Sequence, residues 1–399
     1  MPDSPPRQGG RKDEGPEGPA VAIVDLNVTA ASPIGTGILD LIEGLHSKYR
    51  FVVVAADFES AHPESVEHVR VRIPPGPAFV KELSWPILAR RAFLRDRFLR
   101  TRRFVVRATQ GQFQGAEICD AHFCHRAYLD RYFGASGTKG VRRITRSLVH
   151  RHGARLERRA FRRARIVVVS SMGLRREIAE TYPSVTEKLV HIPNPLNVSR
   201  FARAATFDRD AVRASNGYGR EHVVFLFVGL GDFARKGLAY GIRALAVVDS
   251  PEARLLVVGG TEGEIAIYRK IAADAGVGPR IMFVGFQSDI RPYLWMSDVF
   301  LFPTIYEAAP KVVDQALAAS LPVIGTRVNG IEDRIEPGVN GWFVERSDES
   351  VAGAMRTAVE DRARLRDMGR RASEVAEKLD RRFYVERWDE LLADILAAR

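Results

Sequence analysis

The chain has 399 residues, of which 46% are hydrophobic and 27% charged, and it carries a net charge of +11. That length exceeds what one ordinary core accommodates and predicts two domains, while no apolar run approaches the roughly 18–20 residues that cross a bilayer. Two cysteines, Cys119 and Cys124, exclude a disulfide framework and suit a reducing, cytoplasmic setting.

Residues 1–19 are rich in Pro, Gly and charge without any apolar stretch, so they predict a disordered tail and not a secretory signal. From there short β-branched runs alternate with helical segments. The first series is Val21–Leu26, Phe51–Ala55, Val69–Ile73, Glu117–Ala121, Arg165–Ser170 and Leu189–Ile192. The second is His222–Gly229, Leu255–Gly259, Ile281–Gly285, Val299–Pro303 and Pro322–Gly325. Runs such as VVFLFVG and IVVVS are apolar throughout, as strands covered on both faces require. The alternation predicts an α/β chain with doubly wound parallel sheets. A polar stretch after NPLNVSRF separates the series. We therefore expect one Rossmann-like domain over 20–200, a second over 201–380 and a terminal helix over 381–399.

The charge is uneven. Residues 81–107 carry nine Lys/Arg against two acids and residues 141–165 ten Arg against one, a net +16 that leaves the rest of a +11 chain at −5. From Ser84 to about Gln110 the pattern reads as one helix with Pro86 in its first turn. Ile87, Leu94, Phe98 and Val105 form its apolar face, and Arg90, Arg97, Arg100 and Arg103 lie away from it. Basic amphipathic helices of this kind lie on anionic membranes, so an anionic surface reached through 81–107 and 141–165 is the expected partner. That would place the protein peripherally on the inner face of the membrane. The plainer alternative is a helix packed on its own domain with a solvated basic face. No reader motif or aromatic stacking platform accompanies the charge, which argues against nucleic acid.

In open parallel sheets ligands bind beyond the carboxyl ends of strands. VVFLFVG leads into LGDFARKGL, where Gly229 and Gly231 allow a tight exit and Arg235 and Lys236 arrive at a helix start. Two cations there form a diphosphate clamp, or else a solvated pair. RIMFVGF ends in Gly285 and Phe286, which either let a flat base approach the backbone or make a simple turn. LFPTIYEAAPKVVDQALAASLPVIGT presents Glu307 ahead of a helix over Lys311–Ala319, with Pro310 suited to its first turn. A carboxylate beside helix-start amides reads sugar hydroxyls or caps the helix.

These segments carry a family resemblance. The blocks VVVSSMGLRREI, HIPNPLNVSRF, FVGLGDFARKGL, VVGG, FVGF, SDVFLFPT and the Glu307 segment through VNGWFV, in that order, resemble retaining glycosyltransferase family 4. The resemblance covers about residues 165–345 well and the first 160 in outline. It implies a GT-B fold, two facing Rossmann-like domains with a cleft between them. It also implies retaining transfer of a sugar from a nucleotide-sugar co-substrate, UDP-, GDP- or ADP-linked, to a glycan or lipid-linked acceptor in cell-envelope glycan synthesis, with no resident cofactor.

Position by position, the resemblance assigns Arg235, Lys236 and Gly35 to the donor diphosphate. It assigns Glu307 and the backbone around Ala308, Ala309, Pro310 and Lys311 to the sugar, and Phe286 and Gln315 to the nucleoside. His122, Glu307 and Lys236 are the implied catalytic groups. Gln315 stands where the family carries a second Glu, and Asp314 is turned about 100° away on the helix. Leu230 replaces the usual Arg after the strand-end glycine. Asn329, Gly330 and Asp333 match the later Gly-Gly-x-x-Glu loop loosely.

In the first half, NVTAASPIGTG reads as a loop whose Gly35 and Gly37 precede an apolar helix, and AEICDAHFCH ends a strand with His122 and His125. A zinc set of Cys119, His122, Cys124 and His125 fits by residue type but lacks a second ligand pair at the right spacing. The sole D-x-D, Asp208-Arg209-Asp210, lies in the polar stretch outside any strand end, so transfer is expected to be metal-independent. One carboxylate among cations also differs from a glycosidase pair. The alternatives are a sugar-nucleotide epimerase or hydrolase on this frame, and a non-catalytic binding protein, which Gln315 keeps in view.

Overall fold

The computed structural model describes residues 19–62, 65–96, 99, 104–136 and 140–399. The tail expected over 1–19 lies outside them except for Pro19, as do Arg97, Phe98, Arg100 and Arg103 of the expected basic helix. The chain divides into two compact units. The first takes the described residues up to Arg131, those from 140 to 195, and Arg381–Arg399; the second takes Leu196–Asp380 with residues 132–136. The division falls after Pro195, a few residues ahead of the expected position.

In the first unit the strands are β1 (Ala20–Val24), β2 (Asn27–Val28), β3 (Arg50–Ala55), β4 (Asp57–Phe58), β5 (Val66–Arg70), β6 (Phe104–Thr109), β7 (Ile118–Ala121), β8 (Ile166–Val169) and β9 (Leu189–His191). Seven form a parallel sheet in the order β5-β3-β1-β6-β7-β8-β9, and β2 pairs with β4. The second unit adds β10 (Val223–Gly229), β11 (Ala253–Gly259), β12 (Ile281–Gly285), β13 (Val299–Phe302), β14 (Val323–Gly325) and β15 (Gly341–Phe343), a parallel sheet in the order β12-β11-β10-β13-β14-β15. All five residues of β1 and all seven of β10 are buried, which is why both read as unbroken apolar runs.

The single helix expected over Ser84–Gln110 does not form. A helix spans Ala78–Arg95, and Phe104–Thr109 is β6, paired with β1 through Val105 opposite Val21. The helical spacing of Ile87, Leu94 and Val105 is a coincidence: the buried face holds Trp85 and Ala89, while Ile87 and Leu94 are exposed. Pro86 lies mid-helix and not in the first turn. The run FVVRAT is β-branched, but its one charge, Arg107, disguises a central strand. That charge is neutralised within the fold, where Arg107 pairs with Asp120 of β7 and stacks 4.5 Å over the Trp388 ring.

Trp388 belongs to the Arg381–Ala397 helix, which packs into the first unit. Gly44 makes room for it, because a Cβ there would come within 2.5 Å of Val385. Asp389 meets Lys48 at 2.7 Å and the Tyr49 hydroxyl at 2.6 Å. No helix among the described residues is long and apolar enough to cross a membrane.

Candidate active site

The second sheet reverses its strand order between β10 and β13, and ligand sites in such sheets form at the carboxyl end of that reversal. The loops leaving these two strands carry the cations and the carboxylate. After β10 the chain turns through Gly231 and Asp232, the latter in the left-handed region at φ 59°, into a short helix over Phe233–Lys236. Gly237, at φ 83°, then lies so close to Pro303 that a Cβ would fall 2.2 Å from its carbonyl oxygen. Glu264 holds this turn by accepting from the Phe233 amide at 2.7 Å. The loops are tied directly as well, the Ile305 amide donating to the Arg235 carbonyl at 2.9 Å.

Arg235 and Lys236 are brought together with Glu307, but in different capacities. Arg235 donates through Nε to Asp232 at 2.9 Å, and through Nη1 to Glu307 Oε1 at 2.6 Å and to the Tyr306 carbonyl. Burial depresses its pKa, yet Glu307 and Asp232 outweigh that and raise it, so the guanidinium stays charged. Lys236 makes no ion pair among the described residues, and its Nζ lies against Gly229, where a Cβ would leave only 3.0 Å. Burial pulls the Lys236 ammonium below its usual range despite the pull of Glu307 in the other direction. A half-buried cation in that state gains from an incoming anion.

The Glu307 loop is supported from below. Thr326 donates to the Thr304 carbonyl, and the Thr304 hydroxyl lies 3.4 Å from Glu307 Oε1. Gly330, at φ 77°, passes so near that a Cβ would sit 2.6 Å from the Ala309 Cα. Its place in the loosely matched loop thus has a packing reason. Pro310 occupies the N-cap position with an extended backbone, just ahead of the Lys311–Ala318 helix and not in its first turn. Ala308 and Pro310 are buried, and Lys311 and Gln315 half-buried. Asp314 points inward to Arg334 Nε at 2.8 Å and is committed to that pair. Phe286, beyond Gly285 at φ 71°, is exposed at the carboxyl end of β12 on the same edge of the sheet.

In the first unit His122 follows β7, with its amide on Gln110 Oε1 at 2.8 Å and its Nε2 at 3.2 Å from Asp120 Oδ2. Burial pushes the Asp120 carboxyl up, but the charges of His122 and Arg107 together hold it well below the usual range. Asp25, one residue past β1, is buried and its carboxyl is pushed up by that burial. Asp25, Arg107 and Asp120 were missed from sequence. The available signal was a lone charge inside each apolar run, VDL, FVVRAT and ICDA.

Gly35 is not in a loop. It sits in the first turn of the Pro33–Leu45 helix with its amide given to Ser32 Oγ at 3.1 Å. A Cβ there would fall 2.7 Å from the Thr29 carbonyl oxygen, so glycine serves close backbone packing and its amide is already committed. Asp208 caps the Arg209–Ser215 helix, Arg209 pairs with Asp298 at 2.6 Å, and Asp210 with Arg220 at 2.6 Å. The Cys119 thiol donates to the Gln110 carbonyl, and His125 Nδ1 faces His150 Nδ1 at 2.9 Å.

Comparison with known proteins decides the lineage. The family described as Glycosyltransferase Family 4 matches residues 34–200, and that described as Glycosyl transferases group 1 matches residues 222–361. The chain belongs to glycosyltransferase family 4. A curated relative of this family 4 chain, N-acetyl-alpha-D-glucosaminyl L-malate synthase of Bacillus anthracis, is 29% identical over 194 residues, 48% of this chain and 51% of that protein. The chain thus spans about half the length of that relative. The crystal structure of WaaG, a glycosyltransferase involved in lipopolysaccharide biosynthesis, superposes with a TM-score of 0.74 at 19% identity over 93% of this chain and 99% of that one. Anabaena HepE in complex with UDP-glucose superposes with a TM-score of 0.70 at 16% identity, over 94% and 99%. At these identities the structures establish the shared GT-B fold.

Proposed function

We propose that the protein is a retaining, metal-independent glycosyltransferase that moves a sugar from a nucleotide-sugar donor to a glycan or lipid-linked acceptor. The observation that carries the reading is the meeting of Lys236, Arg235 and Glu307 at the strand reversal of the second sheet. The Lys236 ammonium neutralises charge building on the leaving diphosphate. Glu307, held by Arg235, receives hydroxyls of the transferred sugar. The leaving phosphate assists deprotonation of the incoming hydroxyl, so the mechanism needs no second carboxylate of the glycosidase kind. His122, steadied by Asp120, is assigned to a sugar hydroxyl by its place after β7. HepE binds UDP-glucose, which supports a sugar nucleotide as donor, and WaaG is involved in lipopolysaccharide biosynthesis, which supports a cell-envelope glycan as product. The same reading puts the enzyme in the cytoplasm, peripherally on the inner face of the membrane.

The test is calorimetric titration of UDP, GDP and ADP, followed by turnover of the matching sugar nucleotides with EDTA present. Binding of one nucleoside diphosphate, weakened in Lys236→Ala, and an axial product anomer from an axial donor are expected. Failure to bind any of the three would overturn the donor assignment, and an inverted product the retaining mechanism.

A further inference from the structure

The Gly140–Arg163 helix presents one exposed face whose chemistry changes along its length. Val141, Ile144 and Leu148 are 76%, 62% and 59% exposed, far more than isolated core-type side chains ordinarily are. The same i+3/i+4 row continues as Arg151, Arg155, Arg158 and Arg162, all exposed. At 100° per residue these seven positions fall within one stripe of about 100°, on a helix about 36 Å long. The opposite side is the packed one, where Glu157 and Phe161 are fully buried. Those four arginines line a groove of about 820 Å³ beside Tyr182, and among the described residues none of them pairs with a carboxylate.

A second helix repeats the pattern. On Ala78–Arg95, Val80, Leu83, Ile87 and Leu94 share one stripe, with Ile87 58% and Leu94 52% exposed. Exposed Lys81, Arg90, Arg91 and Arg95 flank it. The two helices pack against one another within the first unit, and Arg90 and Leu94 share a depression with Arg163.

We propose that these two faces form a docking surface for a lipid leaflet with anionic headgroups. The apolar stripes enter the acyl boundary, and the arginine row lies on the phosphates. The charge selects this occupant. A second copy would bring unpaired arginines against unpaired arginines. A nucleic acid backbone would satisfy the arginines but leave Val141, Ile144, Leu148 and Ile87 in water. The inference deepens the membrane part of the proposed function and does not depend on sugar transfer.

The experiment is flotation of the full chain with vesicles of phosphatidylglycerol and phosphatidylcholine in equal parts, against vesicles of phosphatidylcholine alone, without nucleotide. Binding to the anionic vesicles only is expected, and it weakens roughly tenfold or more in Arg155→Glu/Arg158→Glu and likewise in Ile144→Ser/Leu148→Ser. Equal binding to both vesicle types overturns the proposal, as does unchanged binding in either double variant. So does a dimer in ultracentrifugation that Ile144→Ser/Leu148→Ser returns to monomer. A readout that keeps the native surface charge is a polarity-sensitive fluorophore on Ile144→Cys, with Lys270→Cys as the control. A blue shift at 144 alone on adding anionic vesicles supports insertion, and no shift at 144 refutes it. Nucleoside-diphosphate binding in the same variants separates this result from the fate of the transferase reading.

Discussion

Arg235 Nη1 meets Glu307 Oε1 at 2.6 Å and joins the loop after β10 to the loop after β13. Both side chains are less than one-fifth exposed, so the contact is shielded from solvent and its geometry matters. It also divides the labour of two adjacent cations. Arg235 is spent on Glu307, Asp232 and the Tyr306 carbonyl, whereas Lys236 makes no ion pair among the described residues and is the cation proposed to meet the diphosphate.

Lys236→Ala is therefore expected to weaken nucleoside-diphosphate binding by roughly 10–100-fold, the scale of a lost charge-assisted hydrogen bond. Arg235→Ala should leave that affinity within a few-fold and lower kcat instead, because the carboxylate loses its anchor. Calorimetric Kd values beside steady-state kcat would check the split. Equal losses of nucleotide affinity in both variants would return Arg235 to the diphosphate.

Gly35→Ala separates a packing glycine from a ligand-contacting one. The added Cβ falls 2.7 Å from the Thr29 carbonyl oxygen and 2.8 Å from that of Asn27. Stability should drop by about 1–3 kcal/mol, the usual cost of overpacking, with nucleotide affinity unchanged below the melting transition. Urea denaturation and nucleotide titration on the same sample give both numbers.

What was legible in sequence was local. VVFLFVG shows itself as a strand because both its faces are buried, and the Lys236 and Glu307 loops follow directly from strand ends. What was not legible depends on partners far along the chain. Arg107 makes sense only beside Asp120 and under Trp388, so FVVRAT passed for part of a basic helix. The Arg235–Glu307 pair spans 72 residues and has no local signature. Asp314 could be set aside from helical geometry alone, but its commitment to Arg334 could not be foreseen.

The Arg107–Asp120 pair is fully enclosed, and breaking such a pair leaves a charge without compensation. Asp120→Ala should cost about 3–5 kcal/mol, and Arg107→Met/Asp120→Leu should recover most of it. With the Asp120 carboxyl held low by His122 and Arg107 against the pull of burial, its contribution is complete above the unfolded value near pH 4. It is lost as pH falls through the lower folded value. Chemical denaturation of the three proteins between neutral and acid pH tests both statements. Full-strength folding of Asp120→Ala would show that the pair carries nothing.

Glu157 offers a second pH test with the opposite sign. Burial pushes its carboxyl up to about 7, although the His125 and Arg126 amides, the Tyr182 hydroxyl and Gln110 all donate to it. Between its unfolded value near 4.5 and 7 the folded state binds the extra proton, so this group's contribution falls as pH rises and is flat above. Burial lowers His125 to about 3 and His150 to about 4, and these two work the other way: their neutral forms cost stability as pH falls below about 6.5. The difference between wild type and Glu157→Gln isolates the first effect. The stability of the wild type minus that of Glu157→Gln should fall as pH rises from 5 to 7, by an amount on the order of 1–3 kcal/mol, and then hold steady. A difference independent of pH would mean that Glu157 is ionised throughout, its four donors outweighing burial.

Within the proposed function Gln315 is the residue assigned to the nucleoside, and its amide stands where the family carries a carboxylate. It lies half-buried on the Lys311–Ala318 helix, and the neighbouring carboxylate, Asp314, cannot take its place because Arg334 holds it in the interior. A neutral amide accepts a ribose hydroxyl more weakly than a carboxylate does, by about a factor of ten where the bond becomes charge-assisted. Gln315→Glu should therefore tighten nucleoside-diphosphate binding by up to about tenfold, and Gln315→Ala should loosen it a few-fold with little effect on stability. Titration of both variants with the preferred nucleotide and with its 2′-deoxy analogue locates the contact. If the position reads the ribose, the gain from glutamate disappears with the deoxy analogue; if the gain persists, Gln315 acts on another part of the ligand.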